Sequence, residues 1–192
     1  VQIIKSAGFD TFYIDLEHSP LSIETANNLA SAALLAGIDC FARVPANTPD
    51  YVSRVLDAGC LGVIAPVVES ADEARAVIEA AEYAPVGKRG FSGALPQTGY
   101  RAIPDLYETV NAATTVMVMF ESQAALDAAY EIAVINGLDM VMIGTNDLIA
   151  ALGLAAGEFD HLAIKDAYAR TIDACTKYGK HLGVGGLASR PD

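Results

Sequence analysis

The sequence predicts an α/β fold built on a parallel sheet, and more specifically a (β/α)8 TIM barrel. Six short apolar segments alternate with helical segments along the chain. They are apolar almost throughout rather than at every second residue, which is typical of strands buried on both faces of a parallel sheet. Charged residues follow most of these strands, and in a barrel the carboxyl ends of the strands converge on one site. The sequence has no glycine-rich dinucleotide motif after its first strand, which would have favoured a doubly wound sheet.

Each element is marked by its composition and by the residues at its ends. The predicted strands cover residues 9–15, 39–44, 61–66, 115–120, 138–143 and 181–184, and the predicted helices cover 22–36, 49–58, 104–112, 123–132 and 161–178, with a further helix opened by Ser70. Ser22 and Ser70 are typical N-cap residues, and Gly37 is typical of a helix end. The Gly- and Pro-rich segment 85–100 interrupts the alternation, and long loops of this kind are typically functional.

The charge balance excludes several classes of partner. Asp and Glu number 24 and Lys and Arg 12 among the 192 residues, so the net charge is −12. A nucleic acid or an anionic membrane surface needs a basic footprint, and neither is expected as a partner. An acidic substrate would therefore have to be bound by a few local cations.

Location and redox state can be inferred from what the sequence lacks. It contains no apolar run of about 18 residues and no signal-peptide pattern. The three cysteines, Cys40, Cys60 and Cys175, have no disulfide or metal-site spacing. We therefore expect a cytoplasmic protein with buried thiols.

The first strand ends in a cluster of three candidate residues, Asp15, Glu17 and His18. His18 at this position is a candidate general base or metal ligand, and a capping or packing histidine is the alternative. Arg43 is the one charge within the apolar part of the second strand. A guanidinium there has to meet an anion, which is either a substrate oxygen or a carboxylate of the protein itself.

Two further carboxylates, Glu121 and Asp147, follow neighbouring predicted strands. Together they suit a hard divalent cation, while paired acid–base chemistry and helix capping by Asp147 are the alternatives. None of the five lysines lies at a strand end where a Schiff-base aldolase needs one: Lys5, Lys165 and Lys177 fall in helical segments, Lys88 in the long loop and Lys180 before a strand. The glycine-rich segment 183–186 is either a phosphate or carboxylate cradle or a tight turn.

In this order and spacing, the motifs resemble those of the HpcH/HpaI aldolase family along essentially the whole chain. The resemblance rests on Arg43 and on residues 8–10 (GFD), 14–20 (IDLEHSP), 56–59 (LDAG), 88–92 (KRGFS), 120–122 (FES) and 144–148 (GTNDL). It implies a TIM barrel of the phosphoenolpyruvate/pyruvate type, which has eight strands. Residues 1–192 are therefore expected to form a single incomplete barrel domain that lacks the first strand and the last β/α unit.

The resemblance also implies a role for each candidate residue. Glu121 and Asp147 hold the divalent ion, Mg²⁺ or Mn²⁺, with Co²⁺ or Zn²⁺ as alternatives, and neither PLP, a nucleotide nor a Schiff-base lysine is expected. Arg43 stabilises the enolate oxygen. His18, oriented by Asp57, helps a metal-bound water to take the proton from the C4 hydroxyl. Further roles are implied for substrate contacts, made by Ser92, Asn146 and Asp147, and for supporting residues, Asp15 and Glu17.

The reaction implied is reversible cleavage of a 4-hydroxy-2-oxo acid to pyruvate and an aldehyde, through a pyruvate enolate held by the metal. Citrate-lyase-like or macrophomate-synthase-like enolate chemistry is one alternative, and a catalytically silent barrel that serves as an assembly subunit is another. Family members form hexamers built as trimers of dimers, so a homo-oligomer is expected. Met119 stands where many relatives carry a Gln, which affects the expected choice of aldehyde.

Overall fold

The computed structural model describes residues 1–187. These residues form six strands and nine α-helices, with one short 3-10 helix. In chain order they are α1 Gln2–Ser6, β1 Thr11–Asp15, α2 Ile23–Ala36, β2 Asp39–Arg43, α3 Pro49–Asp57, β3 Gly62–Ala65, α4 Ala71–Ala81, the 3-10 helix Pro96–Thr98, α5 Leu106–Ala113, β4 Thr115–Phe120, α6 Gln123–Asp127, α7 Ala129–Ala133, β5 Met140–Gly144, α8 Thr145–Ala151, α9 Leu162–Tyr178 and β6 His181–Gly185.

The chain divides into two compact units, which we describe separately. Of the described residues, the first comprises 1–65 and 76–116, and the second 66–75 and 117–187. In the first unit β1 pairs with β2 and β2 with β3, both in parallel, and Asp15 is the cross-strand neighbour of Arg43. In the second unit β4 pairs with β5 and β5 with β6, again in parallel. The prediction of a parallel α/β fold is therefore confirmed.

The order of the strands distinguishes a barrel-type sheet from a doubly wound sheet. Backbone hydrogen bonds also fix the first and the last part of β4. In the first unit the Thr115 amide donates to the Leu61 carbonyl at 2.9 Å, and in the second the Val68 amide donates to the Met119 carbonyl at 3.2 Å. The strand order is β1-β2-β3 within the first unit and β4-β5-β6 within the second, and neither contains a reversal. A reversal of strand order marks a doubly wound sheet. Each unit is therefore consistent with a barrel-type fold, whereas the lack of a first strand and a last β/α unit stays a prediction.

The ends of the elements follow the predicted signals closely. Ser22 caps α2 by accepting a hydrogen bond from the Thr25 amide, and Gly37 ends that helix in the left-handed conformation. His161 caps α9 through Nδ1, which accepts from the Ala163 amide. That bond assigns His161 a structural role.

Lys5 lies in the short helix α1, as expected. Two features differ from the sequence prediction. The short helix α8, seven residues long, was not expected. The helix expected over 123–132 is divided at Ala128 into α6 and α7. The Asp127 carbonyl accepts a hydrogen bond from Arg170, so a side chain from α9 takes up a backbone acceptor where the helix breaks.

Each unit buries an apolar core of its own, and all three cysteines lie in these cores as free thiols. A hydrogen bond with Cys40, together with burial, raises the pKa of the Cys60 thiol. The thiol therefore stays protonated, as expected for a structural cysteine. Among the described residues, no helix is both long and apolar enough to cross a membrane.

Candidate active site

Arg43 forms the centre of the polar cluster in the first unit. Its side chain is 11% exposed. Its Nε and Nη2 donate to the two carboxylate oxygens of Asp15 at 3.0 and 2.7 Å, and its Nη1 lies 3.2 Å from Glu17 Oε2. Because β1 and β2 end side by side, the fold itself brings these groups together. Both carboxylates therefore belong to one ion-pair network, and a structural ion pair was one of the two predicted roles of Arg43.

Asp15 also fixes the turn that follows β1. Its Oδ1 accepts from the amides of Glu17 and His18 at 3.0 and 3.2 Å, and its carbonyl accepts from the Ser19 hydroxyl. Burial alone would raise the pKa of Asp15, but the bonds to Arg43 and to these amides outweigh it and lower the pKa below its usual 3.8. The carboxylate is thus ionised and fixed by both side-chain and backbone donors.

The same ion pair shifts the pKa of the Arg43 guanidinium in the opposite direction. Burial by itself lowers the pKa of Arg43, but the hydrogen bond and charge of Asp15 and the charge of Glu17 raise it overall. Arg43 is therefore a permanent, preorganised cation at the carboxyl end of β2.

His18 lies at the solvent edge of this cluster. Its side chain is 61% exposed, and its Nε2 is 3.8 Å from Glu17 Oε2. This exposure fits proton exchange with a substrate better than it fits the alternative of a packing histidine. The carboxylate beside the imidazole is therefore Glu17.

Asp57 was expected to orient His18, and the structure gives it a different partner. Its Oδ1 accepts from Arg89 Nη2 at 2.7 Å and from Arg89 Nε at 3.2 Å. Within residues 1–187 no hydrogen bond joins Asp57 to His18. Asp57 ends α3, just before the start of β3, whereas His18 follows the carboxyl end of β1, so the two lie at opposite ends of the parallel strands. Ser92 lies three residues beyond Arg89 and is exposed, in the loop between α4 and the 3-10 helix.

In the second unit, Glu121 is held in place by the backbone. It directly follows β4 and is 6% exposed, and its Oε2 accepts from the Val67 amide at 2.8 Å. Val67 has φ 49°, a left-handed conformation that a β-branched residue rarely adopts. The local backbone is thus strained at the residue whose amide binds Glu121.

Gly144, the last residue of β5, provides the space that the Glu121 side chain occupies. A Cβ at Gly144 would lie 2.4 Å from Glu121 Oε1 and 2.7 Å from Glu121 Cγ. Only glycine leaves room for the carboxylate here, so the strand end is shaped around it.

Asn146 and Asp147 lie in the first turn of α8, and both are exposed. The N-cap of that helix is Gly144, so Asp147 is a first-turn acid rather than the capping residue. Residues 183–185 of the glycine-rich segment lie within β6 rather than after it, and Gly186 follows the strand. A Cβ at Gly186 would lie 2.9 Å from Asn146 Nδ2, so this glycine packs closely against Asn146.

The donor chemistry of the second unit fits a hard divalent ion. Glu121 and Asp147 offer carboxylate oxygens, which Mg²⁺ and Mn²⁺ prefer. Within the described part of the chain, no group of three or more His, Cys, Asp or Glu side chains is arranged to hold a metal. Two protein carboxylates suit Mg²⁺, which usually keeps other positions for water and substrate oxygens.

Sequence reasoning missed three residues that shape these clusters: Arg89, Val67 and Gly144. Arg89 was visible only as part of a motif, since a sequence does not show which carboxylate a buried arginine binds. The role of Val67 depends on a backbone conformation that is unusual for valine. Gly144 directly precedes the Thr-Asn-Asp motif, and a glycine at a strand end is the signal of a close approach.

Comparison with known proteins gives consistent matches over nearly the whole chain. The family profile described as HpcH/HpaI aldolase/citrate lyase matches residues 1–184. A 4-hydroxy-4-methyl-2-oxoglutarate aldolase of Hapsidospora irregularis is 38% identical over 192 residues, covering 97% of this chain and 70% of the relative. A 5-keto-4-deoxy-D-glucarate aldolase of Klebsiella pneumoniae is 31% identical over 183 residues, covering 95% and 71%.

A solved structure agrees with these sequence matches. The crystal structure of an HpcH/HpaI aldolase from Desulfitobacterium hafniense superposes with a TM-score of 0.90 at 29% identity, covering 95% of this chain and 71% of that one. Sequence and fold thus point to the same group of enzymes.

Proposed function

Because this chain belongs to the HpcH/HpaI aldolase/citrate lyase family, we propose that it cleaves a 4-hydroxy-2-oxo acid to pyruvate and an aldehyde with the help of a divalent metal ion. The chain is a carbon–carbon lyase of the aldolase type, as its aldolase relatives indicate. The observation that carries the proposed reaction is the partly buried Arg43 guanidinium at the end of β2, held by Asp15 and Glu17.

Arg43 is proposed to stabilise the negative charge that develops on the keto oxygen when the carbon–carbon bond breaks. Its orientation is set before the substrate arrives, because Asp15 binds it through two hydrogen bonds at 3.0 and 2.7 Å. Preorganised donors of this kind contribute about 10²–10³-fold each to the rate. The guanidinium therefore does not have to be reoriented when the substrate binds, because its position is already fixed in the folded protein.

His18 is proposed to take part in removing the proton from the C4 hydroxyl of the substrate and in returning it in the reverse reaction. Its exposed ring can meet a substrate, and Glu17 lies beside Nε2. Ser92, Asn146 and Asp147 are proposed to bind the substrate carboxylate through their hydroxyl, amide and backbone groups.

Glu121 and Asp147 are proposed to hold the divalent ion, Mg²⁺ or Mn²⁺ by analogy with the family, which when bound supplies Lewis-acid polarisation of the 2-oxo acid. The carboxylate of Glu121 is held ready by the Val67 amide and by the space at Gly144. The lysine positions support a reaction without a Schiff base, because Lys180 donates to the carbonyls of Ile135 and Leu138 and Lys88 pairs with Glu79.

The proposal is tested by incubating the purified chain with a substrate that carries a hydrogen at C4, 4-hydroxy-2-oxoheptane-1,7-dioate, and measuring the release of pyruvate and of the aldehyde. We expect release with added Mg²⁺ or Mn²⁺ and its loss after a chelator. Turnover that a chelator leaves unchanged would contradict the metal-dependent mechanism. Bound metal without turnover would favour the catalytically silent alternative, and cleavage of a citryl substrate instead would favour citrate-lyase-like chemistry.

Assembly and location stay predictions. The family analogy supports a homo-oligomer, a hexamer built as a trimer of dimers, and the cysteine chemistry supports a cytoplasmic location. Analytical sedimentation of the purified chain measures its oligomeric state.

A further inference from the structure

Thr145 and Tyr168 form a polar contact between the start of α8 and the first half of α9, both in the second unit. The Oγ1 of Thr145 lies 2.8 Å from the hydroxyl oxygen of Tyr168, so the two hydroxyls share a hydrogen bond. Thr145 is 1% exposed. A hydroxyl that is buried to this degree needs a partner, because a buried polar group without one lowers the stability of the fold. Tyr168 is that partner.

This hydrogen bond joins two helices rather than stabilising one of them. Thr171, a buried hydroxyl residue about one turn further along α9, donates to the Ala167 carbonyl of its own helix. The Tyr168 hydroxyl instead reaches a residue 23 positions earlier in the chain. The N-cap of α8 is Gly144, which has no side chain to cap the helix. The first turn of α8 therefore obtains from α9 a polar contact that its own N-cap does not supply.

Helix α8 depends on such contacts because it is short. It has seven residues, and an isolated helix of this length is not stable in water. Leu148 and Ile149 lie one turn beyond Thr145 and are buried, so they pack on the same side of the helix as Thr145. Apolar packing has no preferred direction, whereas a hydrogen bond restricts both distance and angle. The bond to Tyr168 thus fixes the orientation of the first turn.

Asp147 lies on the opposite side of this turn. Successive residues of an α-helix are rotated by about 100°, so residues two positions apart point in roughly opposite directions. Thr145 is accordingly buried and Asp147 exposed. The turn is also confined next to β6, since a Cβ at Gly186 would lie 3.4 Å from the backbone nitrogen of Asn146. Holding Thr145 in place therefore sets the direction in which Asp147 projects.

We propose that Thr145 and Tyr168 are positioning residues for the divalent metal: their hydrogen bond holds the first turn of α8 so that Asp147 presents its carboxylate to the ion that it shares with Glu121. This inference rests on the proposed function. Neither hydroxyl touches metal or substrate in this scheme. Loss of the hydrogen bond should therefore weaken metal binding, while the enzyme saturated with metal should still react.

The first test measures Mn²⁺ affinity by titration calorimetry, after bound metal has been removed from the purified chain with a chelator. Tyr168→Phe removes one hydroxyl, and Thr145→Val replaces the other by a methyl group of similar size. Groups that contact a metal ligand directly contribute about 10–100-fold to affinity, and this bond acts two residues away from Asp147. For each variant we therefore expect the Kd for Mn²⁺ to rise by about 3- to 10-fold.

A double-mutant cycle shows whether the two hydroxyls act as one unit. The variant that carries both Tyr168→Phe and Thr145→Val should bind Mn²⁺ as weakly as either single variant, to within about 2-fold, because both substitutions break the same bond. Thr145→Ser keeps the hydroxyl and should bind Mn²⁺ nearly as tightly as the unaltered chain. Tyr178→Phe is the matched control on α9, since Tyr178 contacts Lys177 through its ring, which Phe retains. It should leave the affinity unchanged.

The second test follows two reactions over a range of Mn²⁺ concentrations. They are cleavage of 4-hydroxy-2-oxoheptane-1,7-dioate and exchange of the pyruvate methyl protons with deuterated water. In Tyr168→Phe both reactions should need about 3- to 10-fold more Mn²⁺ to reach half of their maximal rate. At saturating Mn²⁺ both maximal rates should lie within about 2-fold of those of the unaltered chain.

Two results would overturn the inference. Unchanged Mn²⁺ affinity in folded Tyr168→Phe and Thr145→Val would show that the hydrogen bond does not position Asp147. A lower maximal rate that added Mn²⁺ does not restore would indicate a general structural role. Thermal unfolding identifies the folded variants, and Tyr168→Phe is sufficient for both tests if Thr145→Val does not fold. Failure of the unaltered chain to bind Mn²⁺ would instead contradict the proposed function itself.

Discussion

The two units stabilise their central polar groups by different means. In the first unit, side chains neutralise one another: Arg43 binds Asp15 and Glu17, and Arg89 binds Asp57. In the second unit, the backbone shapes the place of a carboxylate, because the Val67 amide binds Glu121 and Gly144 leaves space for it. Side-chain partners can be removed one at a time by substitution, whereas a backbone cradle is disturbed only by changing its shape. The units should therefore fail in different ways.

The strongest test of the side-chain arrangement is Arg43→Met. It removes the cation between Asp15 and Glu17 and the proposed donor to the developing enolate oxygen. We expect kcat/KM for cleavage to fall about 10²- to 10³-fold, and pyruvate proton exchange to fall with it.

The control is Arg54→Met, which alters an exposed arginine on α3 and should leave both rates unchanged. Should Arg43→Met retain exchange while losing cleavage, the assignment of Arg43 to the enolate would be wrong.

The backbone arrangement is tested by Gly144→Ala. The added Cβ would lie 2.4 Å from Glu121 Oε1, so the carboxylate has to move. We expect the free energy of unfolding to fall by about 1–3 kcal/mol, as in other overpacked sites. Mn²⁺ affinity, measured by titration calorimetry, should fall by about 10-fold or more, since outer contacts that orient a ligand typically contribute about 10–100-fold to metal affinity.

Gly185→Ala is the matched control for stability. Gly185 pairs with Gly144 across β5 and β6, and its added Cβ would meet the Ile143 carbonyl at an ordinary 3.7 Å. If both variants lose the same stability, or if Gly144→Ala binds Mn²⁺ normally, the cradle does not orient Glu121.

The smallest expected effect concerns the pH dependence of stability in the first unit. The pKa of Asp15 is lowered below 3.8, so this carboxylate stabilises the fold above that pH, and the contribution is lost as the pH falls through its lower folded value. Asp15→Asn should therefore reduce the free energy of unfolding at neutral pH, and the difference from the unaltered chain should shrink below pH 3.8. Urea unfolding at several pH values measures this, and a difference that stays constant over the whole range would contradict it.

Most of the fold could be predicted because it depends on local signals. Continuous apolarity identified all six strands, and Ser22 and Gly37 marked the ends of α2 as expected. The division of the helix at Ala128 could not be predicted, since it coincides with a bond from Arg170 to a carbonyl distant in sequence.

The candidate site likewise has one part that could be predicted from the sequence and one part that could not. Asp15, Glu17, His18 and Arg43 were expected together because parallel strand ends meet, and the structure brings them together. The partner of Asp57 was not predictable, because the sequence does not show which of the 12 Lys and Arg side chains lies near it, and only tertiary packing selects Arg89. The roles that we assign to Glu121 and Asp147 in metal binding remain proposals with the experiments given above.

Val67 has a consequence for efforts to engineer this enzyme. The backbone amide of Val67 donates the hydrogen bond to Glu121, whereas the residue itself is 54% exposed and its backbone is in the left-handed conformation. A saturation library at this position should tolerate most replacements, with glycine and asparagine enriched by selection for heat resistance and proline lost because it has no amide hydrogen. Alignment-based searches that score side-chain identity would pass over such a position, although changing its backbone geometry would alter the surroundings of Glu121.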